Sequence, residues 1–203
     1  MGREGRAVSA ATAKIKGMSN EERGPLQKLD LQGYNFQVEA FYGREDGRDS
    51  WVLDAPYQRG RLWGEEQNRN LIKSLLQGIP IGVIFSNRRS GWDFDRYVVD
   101  GKQRIGAIRD FVEGNLEVPS GWFEDQDLKE RKVGDGWVRY EDLSERGKRG
   151  FDRCTVAVAE SRLPSLEREA ELYLLVNFGG VAQTEIDKSR AKEIAENERE
   201  LIG

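Results

Sequence analysis

RYVVDGKQRIGAI, residues 96–108, changes its periodicity partway through. Tyr97, Val98 and Val99 are an unbroken run of β-formers and Asp100-Gly101 is turn chemistry. Ile105, Ala107, Ile108, Phe111 and Val112 then place apolar side chains at helical spacing. The stretch reads as a strand that feeds a helix through a tight polar turn. At the start of such a helix the N–H groups of Lys102 to Arg104 have no acceptor within the helix, and the helix dipole adds partial positive charge. The side chains of Lys102 and Arg104 add two full charges. Together these features suit an anion, most naturally a phosphate. The same residues also suit an ordinary surface turn with solvated charges, and so short a motif does not by itself separate the two.

Upstream, Leu71, Ile72, Leu75 and Leu76 form one face of a helix expected over Glu65 to Gln77, with Glu65 and Glu66 in its first turn and Gly78 past its end. Pro56 forces Ala55 extended, and Gln58, Arg59 and Arg61 follow in a loop before that helix. Ile79 to Phe85 reads as a buried strand, and Asn87 to Asp95 as a polar connection. Phe36, Val38 and Ala40 alternate in a strand over Tyr34 to Phe41. A turn at residues 43–50 and a second strand at Trp51 to Leu53 complete an expected hairpin.

Downstream, Gly114 stops the helix, and residues 115–150 are irregular and charged, with Trp122, Phe123 and Trp137 as anchors. Thr155 to Ala159 alternates as a strand, and Ser165 opens a helix that ends at Asn177-Phe178-Gly179-Gly180. A last helix starts at Thr184, which forms a capping pair with Asp187. Helices and strands mix without a βαβ repeat, so the fold class is α+β. The expected organisation is a flexible arm over 1–30, one domain over 31–190 and a charged helix end over 191–203.

Composition narrows the chemistry. The chain has 203 residues and a formal charge of −4 with both signs interleaved, so no global field attracts nucleic acid, and DNA binding would need a local basic patch. The single cysteine, Cys154, rules out an intramolecular disulfide and is expected in the core. The absence of histidine removes His-type zinc sites, HNH-type nuclease chemistry and any Ser-His or Cys-His pair. Catalysis would fall to carboxylates, Lys, Arg, Gln or a hard metal such as Mg²⁺. No stretch approaches a membrane span and no signal-peptide pattern opens the chain, so a soluble cytoplasmic protein is expected.

Three blocks stand in order: PYQRGRLW at 56–63 with LIKSLLQGIPIGVIF behind it, VVDGKQRI at 98–105, and ELYLLVNFGGVAQTE at 171–185. Together they resemble the DGQQR-motif domain of GmrSD-type and SspE-type restriction factors, itself similar to the ParB/sulfiredoxin superfamily with its "ParB-like nuclease" label. The resemblance covers roughly residues 50–190. It implies a ParB/sulfiredoxin-like small mixed sheet with flanking helices, in a phage-defence setting. It also implies an NTP whose phosphates are cradled by Gly101, Lys102, Gln103 and Arg104, with Gln58, Arg59 and Arg61 closing the cleft. Asn177, Gly179 and Gly180 would form a second wall. Asp100 would bind Mg²⁺ or orient water, which makes Asp100, Gln103 and Arg104 the candidate catalytic residues of a slow Mg²⁺-dependent NTPase or a nucleotide switch. The family usually has Gln where this chain has Lys102, so binding follows from the resemblance more directly than turnover.

Two alternatives stand beside this reading. One is a DNA-binding protein or nuclease that uses Arg59, Arg61, Arg69, Arg88, Arg89, Lys102 and Arg104 as a basic face and Asp54, Asp93, Asp95 and Asp100 as metal ligands if they converge. The other is a regulatory or inhibitory module without an effector domain, which binds a protein partner through the aromatics of residues 115–140. A homo-oligomer is left open. Several residues also have plainer roles: Trp63 as a core anchor, Asp100 as a helix cap, Asn177 with its glycines as a helix end, and Arg59 and Arg61 as surface partners of Glu65 and Glu66.

Overall fold

The computed structural model describes residues 28–42, 50–55, 63–89, 95–132, 134 and 136–178. In chain order the elements are β1 (Gln32–Gln37), β2 (Trp51–Val52), α1 (Glu65–Leu76), β3 (Ile84–Asn87), β4 (Arg96–Asp100), α2 (Lys102–Val112), β5 (Val118–Pro119), β6 (Trp137–Val138), α3 (Glu145–Asp152), β7 (Thr155–Ser161) and α4 (Leu166–Phe178). Five strands form one sheet in the order β1-β7-β3-β4-β2, and β5 and β6 pair separately. Within the large sheet β1 with β7 and β3 with β4 are antiparallel, whereas β3 with β7 and β2 with β4 are parallel. The fold is α+β, a small mixed sheet flanked by helices.

The unbroken apolar run of β4 has a simple cause, which is that both faces of the strand are covered. Val98 joins the larger core with Ile72 of α1, Ile84 of β3, and Ile105, Ile108 and Phe111 of α2, all fully buried. Burial of each such side chain stabilises the fold by about 1.5–3 kcal/mol. Val99 points to the opposite face and packs with Ala170, Leu172 and Tyr173 of α4. That second face also holds a carboxylate: Glu169, 0% exposed, accepts hydrogen bonds from Asn87 Nδ2 at 2.7 Å and from Arg89 Nε at 2.8 Å and Nη2 at 3.0 Å. A charge can stay buried when it is paired and hydrogen-bonded in this way, and these bonds fix where α4 docks.

Several expectations need correction. The hairpin of Tyr34–Phe41 with Trp51–Leu53 does not form. β1 ends at Gln37, Val38–Phe41 is a 3₁₀ turn, and β1 and β2 lie at opposite edges of the sheet. The edges still approach through side chains, with Phe36 and Trp51 meeting edge-on at 5.5 Å and the Arg96 guanidinium over both rings. Ile79 to Phe85 is not a buried strand: β3 begins only at Ile84, and Ile79 and Val83 are exposed on a loop shaped by Gly78 and Gly82. Asn87, expected in a polar connection, lies in β3 and is buried, because its side chain bonds Leu163 and Glu169 across the sheet. Residues 115–150 hold more order than their composition suggests, with the β5–β6 pair, short 3₁₀ turns and α3. Trp63 is 37% exposed, so it is not a core anchor. Cys154 is half-buried against the core and its thiol pKa is raised by burial. The expected arm up to residue 27, the turn over 43–49 and the helix starting at Thr184 lie outside the described residues.

α3 carries a paired test of packing. A Cβ on Gly147 would run into the backbone carbonyl of Asp127, whereas one on Gly150 meets nothing within 4 Å. Ala exceeds Gly in helix propensity by about 1 kcal/mol. Gly150→Ala is therefore expected to stabilise the protein by up to about 1 kcal/mol, and Gly147→Ala to destabilise it by about 1–3 kcal/mol through overpacking. Urea unfolding of the two variants reads both signs.

A second test concerns pH. Tyr42 and Tyr140 both donate to the carboxylate of Asp152, Tyr140 at 2.8 Å to Oδ1. Burial and that carboxylate push the Tyr140 phenol up to about 12 and Tyr42 higher still. Each neutral phenol is favoured in the folded state, so the stability it contributes is complete below the ordinary tyrosine pKa of about 10 and is lost as pH rises toward the folded values. Thermal unfolding followed from pH 9 to about 12 should show a steep loss. That loss should be shallower in Tyr42→Phe.

Candidate functional site

β4 delivers Asp100 to the turn, and the chain reverses at Gly101 with φ +114°. A Cβ there would also lie 2.9 Å from Ile84 Cγ1, so the backbone and the space both require glycine. The first bond of α2 runs from Ile105 N–H to the Gly101 carbonyl at 3.0 Å. The N–H groups of Lys102, Gln103 and Arg104 therefore precede the helix ladder and lie at the positive end of its dipole. The expected order of strand, glycine turn and helix is present, with Arg96 and Asp100 belonging to the strand.

The side chains of α2 hold four separate stretches of chain. Lys102 Nζ donates to Asp54 Oδ1 at 3.1 Å; the lysine side chain is 18% exposed and the aspartate 93%. Gln103 Oε1 accepts from the backbone N–H of Trp63 at 3.4 Å. Arg104 Nη1 donates to the carbonyls of Val83 at 2.9 Å and Ile81 at 3.3 Å, while Nη2 pairs with Asp100. Arg109 donates to the carbonyls of Phe41 and Trp51, each at 3.0 Å. Burial lowers the Arg109 pKa, against the pull of Glu113 and Asp54. Asp54 and Trp63 stand on either side of residues 56–62 in the chain, so consecutive residues of the first turn grip both flanks of that segment. Gln58, Arg59 and Arg61 lie within it, outside the described residues.

The remaining expected site residues are placed less favourably. The carboxylate of Asp100 is engaged by Arg104. Asn177 Nδ2 donates to Tyr173 O at 2.9 Å, within its own helix. Gly179 and Gly180 lie outside the described residues. The supposed basic face is divided among acids: Arg69 pairs with Glu65, Arg88 with Glu160, Arg89 with Glu169, Lys102 with Asp54 and Arg104 with Asp100. Asp95 bonds Ser50, Asp93 lies outside the described residues, and among those described no three acidic, Cys or His side chains cluster as a metal cage would need. Sequence reasoning missed Arg109 and the role of Asp54 as partner of Lys102. The acceptors of Arg109 are backbone carbonyls distant in sequence, which leave no trace in residue identity.

These contacts predict that Arg104→Ala acts first on stability. It strips a partly buried ionic hydrogen bond and two carbonyl bonds, a loss of about 2–3 kcal/mol. Chemical denaturation should report a lowered midpoint, larger than that of Lys102→Ala, whose partner is exposed to solvent.

The family described as "GmrSD restriction endonuclease, N-terminal domain" matches residues 39–199. A search of curated proteins gave no match. Among solved structures, the C-terminally truncated chromosome-partitioning protein ParB from Caulobacter crescentus, crystallised with CTP-gamma-S, is similar at a TM-score of 0.37 and 12% identity. The alignment covers 83% of this chain and 65% of that one. No helix among the described residues is long and apolar enough to cross a membrane.

Proposed function

The chain belongs to the family of GmrSD restriction endonuclease N-terminal domains, and from that premise we propose that it is a nucleotide-binding module that receives the phosphates of an NTP at the start of α2. The observation that carries this reading is the convergence at that helix start, where Lys102 and Gln103 hold the chain on either side of residues 56–62. Phosphate oxygens there would accept from the leading N–H groups of α2, favoured by its dipole, and Lys102 would supply a point charge. Gln58, Arg59 and Arg61 would complete the cleft from the adjoining segment. Arg104 supports the turn from behind by holding Asp100 and the loop carbonyls, and Gly101 lets the backbone reverse. Asn177, bonded within α4, stays outside the binding site in this reading.

Asp54 is the natural competitor. An ion pair with so exposed a partner contributes about 0–1 kcal/mol, so a triphosphate with several charges can displace it. Lys102 would then release residue 54, one flank of the 56–62 segment, and this gives the module a simple way to register an occupied site. The donor set does not fit a metal held by the protein alone, because Asp100 is engaged by Arg104 and no acidic cluster accompanies it among the described residues. No hydrolytic step is therefore derived. Mg²⁺ enters only as the ion that accompanies the nucleotide.

Calorimetric titration with each of the four NTPs in the presence of Mg²⁺ tests the reading. Saturable binding is expected for the wild type. Lys102→Ala, with its fold checked by thermal unfolding, should bind about tenfold more weakly, the equivalent of one charge-assisted hydrogen bond. Asp54→Asn should bind up to about fivefold more tightly because the competing carboxylate is gone. Absence of heat with every nucleotide, in a folded wild-type protein, would refute the reading.

A further inference from the structure

β1 forms one edge of the large sheet, and among the described residues only β7 pairs with it. The phase of that pairing fixes which backbone groups face outward. The register is continuous from Gln32 opposite Glu160 to Gln37 opposite Thr155. The next pair along carries the bond from Val38 N–H to Cys154 O at 2.8 Å. Hydrogen-bonded and non-hydrogen-bonded pairs alternate along an antiparallel ladder. Phe36, Tyr34 and Gln32 therefore direct their N–H and C=O groups to β7, and Gly33, Asn35 and Gln37 direct theirs away from the sheet. Sheet edges are ordinarily protected by charge, proline or a bulge. QGYNFQ has neither charge nor proline, its register contains no bulge, and five of its six residues are exposed.

We propose that this edge is where two copies of the chain pair, antiparallel, about a two-fold axis at Asn35. The outward set is itself symmetric about Asn35. Antiparallel alignment puts Gly33 against Gln37 of the second copy, Asn35 against its own counterpart, and Gln37 against Gly33. Each is a hydrogen-bonded pair, giving about six backbone bonds across the axis. In the intervening non-hydrogen-bonded pairs, where side chains lie closest, Tyr34 meets Phe36 of the second copy, and the symmetry repeats the contact. Tyr34 is 40% exposed and already lies 6.0 Å from the Phe36 ring of its own chain, so the joined edges would build a four-ring row over the sheet face. A second copy is favoured over a foreign strand because a two-fold axis at Asn35 sets that residue against itself and brings two identical short segments together, where any charge would meet its like, and this strand carries none. This inference is independent of the nucleotide site.

The test uses the identity of the central pair. Sedimentation velocity of the full chain over the micromolar range should show a concentration-dependent dimer. Asn35→Lys and Asn35→Asp, each verified as folded by thermal unfolding, should each be monomeric, since each would set like charges face to face. Mixed in equal amounts, the two variants should restore the dimer. A wild type that stays monomeric throughout would overturn the proposal. It would equally be overturned by single variants that dimerise like the wild type, or by a mixture that remains monomeric. Capture of an extended peptide by a monomeric wild type would assign the edge to a foreign strand instead.

Discussion

The guanidinium of Arg104 is the contact on which the candidate site depends. It joins Asp100 at the end of β4 to the carbonyls of Ile81 and Val83 on the loop leading into β3, so one side chain sets the turn, the helix and the neighbouring loop in a common frame. A planar donor fork suits this task, because it reaches several acceptors in fixed directions without being deprotonated. Gly101 is the complementary constraint. The positive φ and the close approach of Ile84 leave room for no side chain, and α2 can start only where the strand brings it.

α2 serves both as core and as clamp. Ile105, Ile108 and Phe111 are sealed in the interior, while Lys102, Gln103, Arg104 and Arg109 each reach a segment remote in sequence. Buried carboxylates lie on both faces of the sheet: Glu169 of α4 pairs with Arg89 on the face away from α2, and Glu160, in phase with Val156 and Val158 of the larger core, pairs with Arg88 and Arg96. Among the described residues these acids pair with several of the cations that the sequence displays. At the start of α2 the helix dipole adds partial positive charge to that of Lys102.

Local patterns read well wherever one residue's neighbours in sequence are also its neighbours in space. The turn at Asp100-Gly101, the start of α1 at Glu65 and the opening of α4 after Ser165 were legible because helix ends are specified within a few residues; the Arg168 N–H bonds Ser165 Oγ at 3.3 Å. The family was legible for a related reason, since ordered motifs such as VVDGKQRI preserve chemistry that depends on adjacent positions. The β1–β2 hairpin was misread because strand propensity does not name a partner. A short link between two strands suggested pairing, and the core instead sent them to opposite edges. At Arg104 the sequence displays a charge and hides the carbonyls of Ile81 and Val83 that receive it.

By itself, the sequence determined that the fold would be α+β, that a strand would meet a helix at a glycine turn, and that no chemistry would rest on histidine or on paired cysteines. Each of these follows from residue identity, local periodicity or composition. Only the tertiary structure decided which charges are available and which are committed. Lys102 faces an acid exposed to solvent, whereas Arg104 and Arg109 are bound to backbone carbonyls and Arg89 to a fully buried carboxylate. The physical reason is that a charge's environment is set by contacts across long stretches of chain, through burial and backbone acceptors that residue identity does not encode.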